Sequence, residues 1–454
     1  ELFLSELSNS FEMAFSYAFQ SEEGAKLALH ARINRQGLLA EIEKNQSLFS
    51  SLTSDQEKII KKIKNITQSI SSKYVSEDLK VTLLERKVFL EKKLYKLLPE
   101  IKPEIISLEK IIKAMPEDSY LLEFQKYNPL LNSNLFKSLN KSEERYMALL
   151  LKPNGDVKAF DLGDSKLIDK KIIEALDATT AIPLKENVQN LWNEIGELLL
   201  KPINEHIKNS NTIFITPDSE INRISFSAIS SENKFLMDNK INIRLLTSGR
   251  DLISLTNSKK NNLNKSLVVA NPSFDLYKVK DEIINKRVFT NNFQRRSSDF
   301  TFEKFKPLPW TDLEGEEISN LISANLIKED DATSLNIQSI KSPKILHIAS
   351  HAKFLPDKSD KGNPLLRSFI VLAGANNYLL NPNDDGYLTA YEVSKLDLKG
   401  TELVVISGCD SSRGDIKSGE GVYGLKRAIQ VAGAKSSLLT LWPIDDRATS
   451  VFMK

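Results

Sequence analysis

The chain has 454 residues, which at about 150 residues per domain is enough for two or three domains. Hydrophobic residues make up 41% of it and charged residues 27%, a composition that excludes collagen-like, low-complexity and wholly disordered chains. The 62 Lys and Arg residues nearly balance the 60 Asp and Glu residues. The resulting net charge of +2 gives no reason to expect nucleic acid as a direct partner.

A single cysteine, Cys409, cannot form a disulfide within the chain, which favours a reducing compartment. No apolar run approaches the ~18 residues that a membrane span needs, and no charged-then-apolar leader is present. We therefore expect a cytoplasmic protein without a membrane partner. The chain begins at Glu1 and ends at Lys454 within an expected helix, so we expect both termini to be trimmed.

Residues 1–115 have a helical pattern, with apolar residues such as Ile59, Ile63, Ile66 and Ile70 three or four positions apart. Lys and Glu fill the intervening positions, which is typical of a solvated helix face. The pattern predicts an all-α region at the start of the chain.

After Pro116 the pattern changes to strands that alternate with helices. Strands are expected at 120–127, 146–151, 157–162, 212–216, 241–246 and 267–270, and helices at 168–177, at 185–209, after Ser248 and after a Thr311 cap. Residues 273–306 have no pattern and indicate a surface loop or insertion, in which Arg295 and Arg296 offer a site for processing. This order of elements predicts an α/β fold with a mostly parallel sheet flanked by helices.

Two apolar strands are each expected to end beside a residue that can act in catalysis. Residues 344–349 run into His351, and residues 402–406 run into Cys409. The carboxyl ends of parallel strands lie on one edge of a sheet, so the two residues can meet although 58 positions separate them. An imidazole can take the thiol proton, and the thiolate then attacks a carbonyl. The turns at His351-Ala352 and Gly408-Cys409 are small enough to supply backbone N–H donors to an oxyanion.

The alternative interpretation is that Cys409 and His351 have only structural roles. A lone cysteine is often a small buried side chain, and a histidine beside a strand is often structural, as we expect for His347. Cys409 differs because it follows Gly408 and precedes a polar run. The residues alone leave both interpretations open.

Other motifs are weaker. A G-x-G-x-x-G pattern at 419–424 does not directly follow a strand, so its glycines are expected to serve a helix at 422–431 that Gly433 ends. His347, His351 and Cys409 lack a fourth metal ligand at suitable spacing, and no G-x-S-x-G serine motif is present. We expect neither a metal nor a cofactor.

Several separated segments resemble, in the correct order, the CHAT domain, a bacterial relative of caspases and separase that often accompanies tetratricopeptide repeats. The segments are HIASHA at 347–352, the run from GYLTAYEV to ISGCDSS at 386–412, and SGEGVYGLKRAIQVAGAKSSLLTLWPIDDRAT at 418–449. Upstream segments such as YMALLLKPNGDVKAFDLG at 146–163 extend the likeness to about residue 115.

The resemblance implies a caspase-like fold in two halves and a cysteine-protease dyad. The family's histidine falls on His351 and its cysteine on Cys409, although the family more usually has Ala where this chain has Gly408. The expected domains are a TPR-like helical regulatory region at 1–115, a pseudo-caspase-like front half at 116–265, and a catalytic half at 266–454 with a truncated C-terminus. Family members commonly act in bacterial regulatory or defence assemblies.

A pattern of separase, Leu-Trp followed by an acid four positions on, resembles residues 441–446. It predicts that Asp446, or failing that Asp445, receives a basic side chain of the substrate at the cleavage point. The alternative is that the pair caps the helix that follows.

We expect an endopeptidase that makes limited cleavages in a protein substrate, with Cys409 as nucleophile, His351 as base and then acid, and the amides of Ala352 and Cys409 as oxyanion donors. The N-terminal helices would bind a regulatory protein partner. The alternative is a catalytically latent scaffold that binds protein partners through its helices.

Overall fold

A computed structural model describes the chain at residues 8–36, 58–59, 62, 66, 77–97, 104–130, 143–181, 185–231, 234–235, 241–256, 264–276, 304–355, 364–380, 384–409, 411–412, 414–417 and 421–454. Most of the expected loop at 273–306, with Arg295 and Arg296, lies outside these residues, as do Ile63 and Ile70.

The chain divides into two compact units. The first comprises Glu1–Gln46, Ile101–Lys260 and Asp415–Tyr423, and the second comprises Ser47–Glu100, Asn261–Gly414 and Gly424–Lys454.

The described helices are α1 (Ser8–Ser16), α2 (Glu22–Arg35), α3 (Glu77–Leu97), α4 (Leu108–Ala114), α5 (Ser165–Thr180), α6 (Val188–Leu199), α7 (Asn204–Ile207), α8 (Asp251–Thr256), α9 (Pro309–Leu321), α10 (Ser334–Gln338), α11 (Ala390–Val393), α12 (Leu425–Val431) and α13 (Asp446–Met453). Within the part of the chain that the structure describes, no helix is long and apolar enough to cross a bilayer.

The described strands are β1 (Ser119–Tyr127), β2 (Arg145–Leu151), β3 (Val157–Asp164), β4 (Thr212–Thr216), β5 (Ser230–Ser231), β6 (Lys234–Phe235), β7 (Asn242–Leu245), β8 (Leu267–Pro272), β9 (Asn325–Glu329), β10 (Ile345–Ala349), β11 (Ala352–Phe354), β12 (Ser368–Val371), β13 (Tyr387–Thr389), β14 (Leu403–Ser407), β15 (Gly414–Lys417), β16 (Gly421–Gly424) and β17 (Ser437–Leu439).

The first unit is built on a mixed sheet of order β3-β2-β1-β4-β7. The pairs β1–β2 and β2–β3 are antiparallel, whereas β1–β4 and β4–β7 are parallel. The predicted hairpin is present, and Gly155 in its turn has φ +88°, a left-handed conformation that glycine adopts without strain. Residues 1–36 belong to this compact unit, so the sequence-based division into three domains stays a prediction.

The second unit is built on an all-parallel sheet of order β17-β14-β10-β8-β9. Side chains on one face, among them Leu346, Ile348, Val404 and Ile406, share a core with residues of α11 and α12. Helix α9 packs on β8 and β9. This arrangement confirms the predicted α/β class with a parallel sheet flanked by helices.

Three predicted helices differ in the structure. The helix expected at 422–431 begins at Leu425, because residues 421–424 form strand β16. The helix expected at 185–209 is divided into α6 and α7, because Pro202 lacks the N–H that a continuing helix would use. Helix α9 begins at Pro309 rather than after a Thr311 cap. Thr311 lies inside its first turn, where its hydroxyl donates to Leu308 O at 2.7 Å.

A buried ion pair joins α2 to the sheet of the first unit. Arg32 and Glu123 are both fully buried, and Arg32 Nε lies 3.1 Å from Glu123 Oε2. The other guanidinium nitrogens donate to Gln36 Oε1 and, at 3.1 Å, to Pro217 O. The Glu123 carboxylate also accepts from Thr216 Oγ1 and, at 2.8 Å, from Gly249 N. Burial raises the pKa of Glu123, and the Arg32 charge opposes that shift.

We predict that Arg32→Met destabilises the protein by about 3–5 kcal/mol, because it leaves the Glu123 carboxylate buried without its cation. Urea unfolding at pH 7 followed by circular dichroism measures this cost. Lys26→Met is the matched control on the same helix, since Lys26 pairs with Glu22 and Glu23 at the surface, and it should change little. The double variant Arg32→Met/Glu123→Gln should recover part of the loss, and equal stabilities for Arg32→Met and the control would contradict the prediction.

Candidate active site

The site lies where β10 and β14 end. These strands are parallel neighbours, with Ala349 opposite Ser407, and Ser350 N donates to Ser407 O at 3.1 Å. The next residues on each strand are therefore held side by side at the carboxyl edge of the sheet. These residues are Ser350, His351 and Ala352 on one strand and Gly408 and Cys409 on the other.

Gly408 permits a close approach between the two strand ends. A Cβ atom placed on Gly408 would overlap Ser350 O and would lie 3.1 Å from Ala352 Cβ and 3.2 Å from Ala352 N. Only a residue without a side chain fits there without displacement of the backbone. The amide nitrogen of Ala352, one of the two expected oxyanion donors, consequently lies against the residue that precedes Cys409.

Cys409 is half-buried, and its Sγ lies 3.7 Å from Ile444 O. It follows the strand end, at the mouth of a loop, as the sequence indicates. Cys409 is not among the fully buried residues, which is the exposure expected of a residue at the start of a loop.

The loop after Cys409 is clamped to the end of β17 by two hydroxyl groups. Thr440 Oγ1 donates to Gly408 O, and Ser411 Oγ donates to Ile406 O at 3.2 Å. Thr440 N donates to Ser411 Oγ at 2.9 Å, so each hydroxyl is held by the segment opposite. The carbonyls on both sides of Ser407 are thereby fixed, which sets the direction in which the chain leaves the sheet toward Cys409.

His351 is held by a backbone carbonyl and two aromatic rings. Its Nε2 lies 2.9 Å from Lys306 O, and the centroids of Phe274 and Phe305 lie 5.3 and 5.5 Å from that of the imidazole. A carbonyl oxygen can only accept, so Nε2 carries the proton in this bond. In the neutral ring, Nδ1 is then the nitrogen that has a lone pair for a proton from a thiol.

The two acids near the site have different partners. Asp445 is the N-cap of α13, and its Oδ1 accepts from Ala448 N at 2.8 Å, which is the capping role that the sequence left open. Asp446 Oδ2 accepts from Trp310 N at 3.1 Å, in the first turn of α9. In the part of the chain that the structure describes, Asp446 Oδ1 has no hydrogen-bond partner.

The Asp446 carboxyl is electrostatically linked to the site. Burial raises its pKa, and the charges of Glu314 and Asp445 act in the same direction. The amide of Trp310 and the charge on His351 act in the opposite direction. The link to His351 indicates that Asp446 faces the same region of the second unit.

His347 lies inside β10, as expected of a structural histidine. It is buried, and its Nε2 lies 2.7 Å from Glu314 Oε1 on α9. The pair joins the sheet to the helix whose first turn meets Asp446. Among the described residues, no three His, Cys, Asp or Glu side chains are grouped closely enough to hold a metal ion.

Sequence reasoning found the two strand ends but missed the groups that hold them. Nothing in the polar stretch before Pro309 marks Lys306 as the residue whose carbonyl meets His351. The Ser411 and Thr440 hydroxyls carried a weak signal, since each is a small polar residue just past the end of a strand. Their pairing across 29 positions depends on the neighbouring position of β14 and β17.

We predict that Gly408→Ala, although conservative in chemistry, lowers stability by about 1–3 kcal/mol, because the added methyl group forces β10 and β14 apart at their ends. Denaturant unfolding measures the loss, and the rate of Cys409 alkylation by iodoacetamide reports the displacement of the loop. An unchanged unfolding midpoint together with an unchanged alkylation rate would show that the strand ends have room for a side chain.

Comparisons with known proteins identify the family. No curated protein matches the chain. The family model of the CHAT domain matches residues 189–454, more than half of the chain, and includes both strand ends described above. The family is related to caspase-like cysteine peptidases, in agreement with the α/β fold and the parallel sheet of the second unit. The chain therefore belongs to the CHAT domain family.

Proposed function

We propose that this protein is a cysteine endopeptidase that makes limited cleavages in a protein substrate, with Cys409 as nucleophile and His351 as general base and then acid. The observation that carries the proposal is the pairing of β10 with β14, which places the two residues after neighbouring strand ends. The partial exposure of Cys409 and the fixed tautomer of His351 support it.

The reaction would begin with transfer of the thiol proton from Cys409 to His351 Nδ1. The bond from Nε2–H to Lys306 O strengthens when the ring becomes positive, which favours the imidazolium beside the thiolate. The thiolate attacks the carbonyl carbon of the scissile peptide bond, and the negative oxygen of the tetrahedral intermediate is stabilised by the amides of Ala352 and Cys409.

Collapse of the intermediate breaks the C–N bond, and His351 gives its proton to the leaving amine. Water, deprotonated by the same imidazole, then attacks the acyl-enzyme and releases the second product together with the thiol. Every proton in this cycle passes through His351. The geometry of its ring therefore governs both halves of the reaction.

We predict that Cys409→Ala and His351→Ala each abolish cleavage, with losses of at least about 10³-fold in kcat. The test combines a peptide library with covalent labelling by an acyloxymethyl ketone, which reacts with catalytic thiols. His206→Ala, which removes a histidine of the first unit, is the control and should keep both activities. A wild-type protein that neither cleaves peptides nor is labelled would favour the latent scaffold, and cleavage that persists in Cys409→Ala or His351→Ala would contradict the assigned dyad.

For specificity, we propose that Asp446 receives a Lys or Arg side chain at the residue before the cleaved bond. The carboxyl is partly buried, has one oxygen engaged by Trp310 N, and interacts electrostatically with His351. Asp445 is the weaker candidate, since its carboxylate already caps α13. Partial burial strengthens an ion pair between Asp446 and a substrate cation, because fewer water molecules compete.

We predict that Asp446→Asn lowers kcat/KM for peptides with Arg or Lys at that position by about 10- to 100-fold, because it removes the charge and keeps the acceptor for Trp310 N. Asp445→Asn is the matched control, since asparagine also caps helices well. Peptides with an apolar residue there should be cleaved by Asp446→Asn as by the wild type. Equal losses on basic and apolar peptides would mean that Asp446 acts on structure alone.

The same ion pair predicts a pH effect. The pKa of Asp446 is raised, so protonation removes its charge at a higher pH than it would from an exposed aspartate, whose pKa is about 3.9. KM for basic peptides should therefore rise as the pH falls through the raised pKa, and Asp446→Asn should lack that rise.

A further inference from the structure

Asn376 connects two backbone segments of the second unit that flank His351. It lies in the 3₁₀ turn Ala375–Leu380. Its Oδ1 accepts from Phe305 N at 2.8 Å, and its Nδ2 donates to Phe305 O at 3.0 Å. The same Nδ2 lies 3.2 Å from Asp275 Oδ1, and the backbone N of Asn376 donates to Phe274 O at 3.0 Å.

The two segments are the ones that define the surroundings of the imidazole. Phe274 and Phe305 supply the two rings that lie against His351, with interplanar angles of 42° and 43°. Lys306, which follows Phe305 directly, supplies the carbonyl that accepts from His351 Nε2. Asn376 thus binds both residues whose rings lie against His351, Phe305 through its side-chain amide and Phe274 through its backbone N–H.

The chemistry of the contact calls for an amide. Phe305 presents its own N–H and C=O to one side chain, as it would to a neighbouring strand, and the amides of Asn and Gln offer an acceptor oxygen and a donor nitrogen as separate atoms of one planar group. Aspartate would keep the acceptor for Phe305 N but lose the donor to Phe305 O, and it would place a second carboxylate beside Asp275. A leucine of similar volume would lose both bonds.

We propose that Asn376 is a positioning residue for the catalytic histidine. By fixing both peptide groups of Phe305, it holds Lys306 O in place, and that carbonyl keeps the proton on Nε2 and directs Nδ1 to the thiol. This inference rests on the proposed function, because it concerns how His351 is oriented to serve Cys409.

The test uses the fact that Cys409 is the only cysteine in the chain. The rate of alkylation by iodoacetamide, measured against pH on the intact protein, reports thiolate formation at Cys409 without a substrate. The midpoint of the wild-type profile is the reference for the variants. Asn376→Leu should move the midpoint upward, toward that of His351→Ala, and should lower kcat/KM by about 10- to 100-fold with little change in KM.

Two further variants keep the result interpretable. Asn376→Asp preserves the shape of the side chain and should give an intermediate shift, which covers the case in which Asn376→Leu does not fold. Asn377→Ala, at the neighbouring asparagine, should leave the midpoint unchanged. Asn376→Leu and Asn377→Ala change no charge and retain Asp446, Asp275, Lys304 and Lys353 near the site, so a shift in Asn376→Leu is not due to a change in charge. Asn376→Asp adds a carboxylate beside Asp275, so its shift is compared with that of Asn376→Leu.

The outcomes separate the two proposals. If His351→Ala leaves the alkylation profile of the wild type unchanged, the dyad itself is wrong. If His351→Ala moves the profile but folded Asn376→Leu and Asn376→Asp do not, the dyad stands and the positioning role of Asn376 is overturned. A graded upward shift in the order Asn377→Ala, Asn376→Asp, Asn376→Leu supports it.

Discussion

The parallel pairing of β10 with β14 is the constraint on which the site depends. Its register sets Ala349 opposite Ser407, so the chain leaves both strands at the same level of the sheet. A shift of one residue would turn the side chains of a strand to the opposite face and separate the two ends. The missing side chain at Gly408 lets the strands stay close beyond the last ladder bond.

Around this pairing, each member of the proposed dyad is held by parts of the chain that are distant in sequence. The loop at Cys409 is clamped by the end of β17, and His351 is held by Lys306 O and by the rings of Phe274 and Phe305. The sheet therefore brings His351 and Cys409 to the same edge, and the loops set the orientation of their side chains. A nucleophile and its base need both, since an imidazole that turns freely presents the wrong nitrogen for much of the time.

The sequence predicted what depends on local pattern. The strands that end near His351 and Cys409 are short apolar runs followed by small polar residues, and such runs can be recognised without knowledge of their neighbours. Thr311 and residues 185–209 show the limit of that approach, because a preceding proline and an internal proline moved the helix ends. Lys306, Asn376 and the pair Arg32–Glu123 could not be predicted, since their bonds cross 45, 71 and 91 positions and depend on the finished topology.

The buried ion pair of Arg32 and Glu123 limits which fragments of this protein can be expressed in a stable form. The family match begins at residue 189 and the resemblance in sequence near residue 115, and either would be a natural place to start a shortened clone. Such a clone would lack the guanidinium that neutralises Glu123, and one begun near residue 115 would keep that carboxylate in its interior with no counter-ion. The helix that carries Arg32 is thus a structural component of the first unit, and a working fragment has to begin ahead of it.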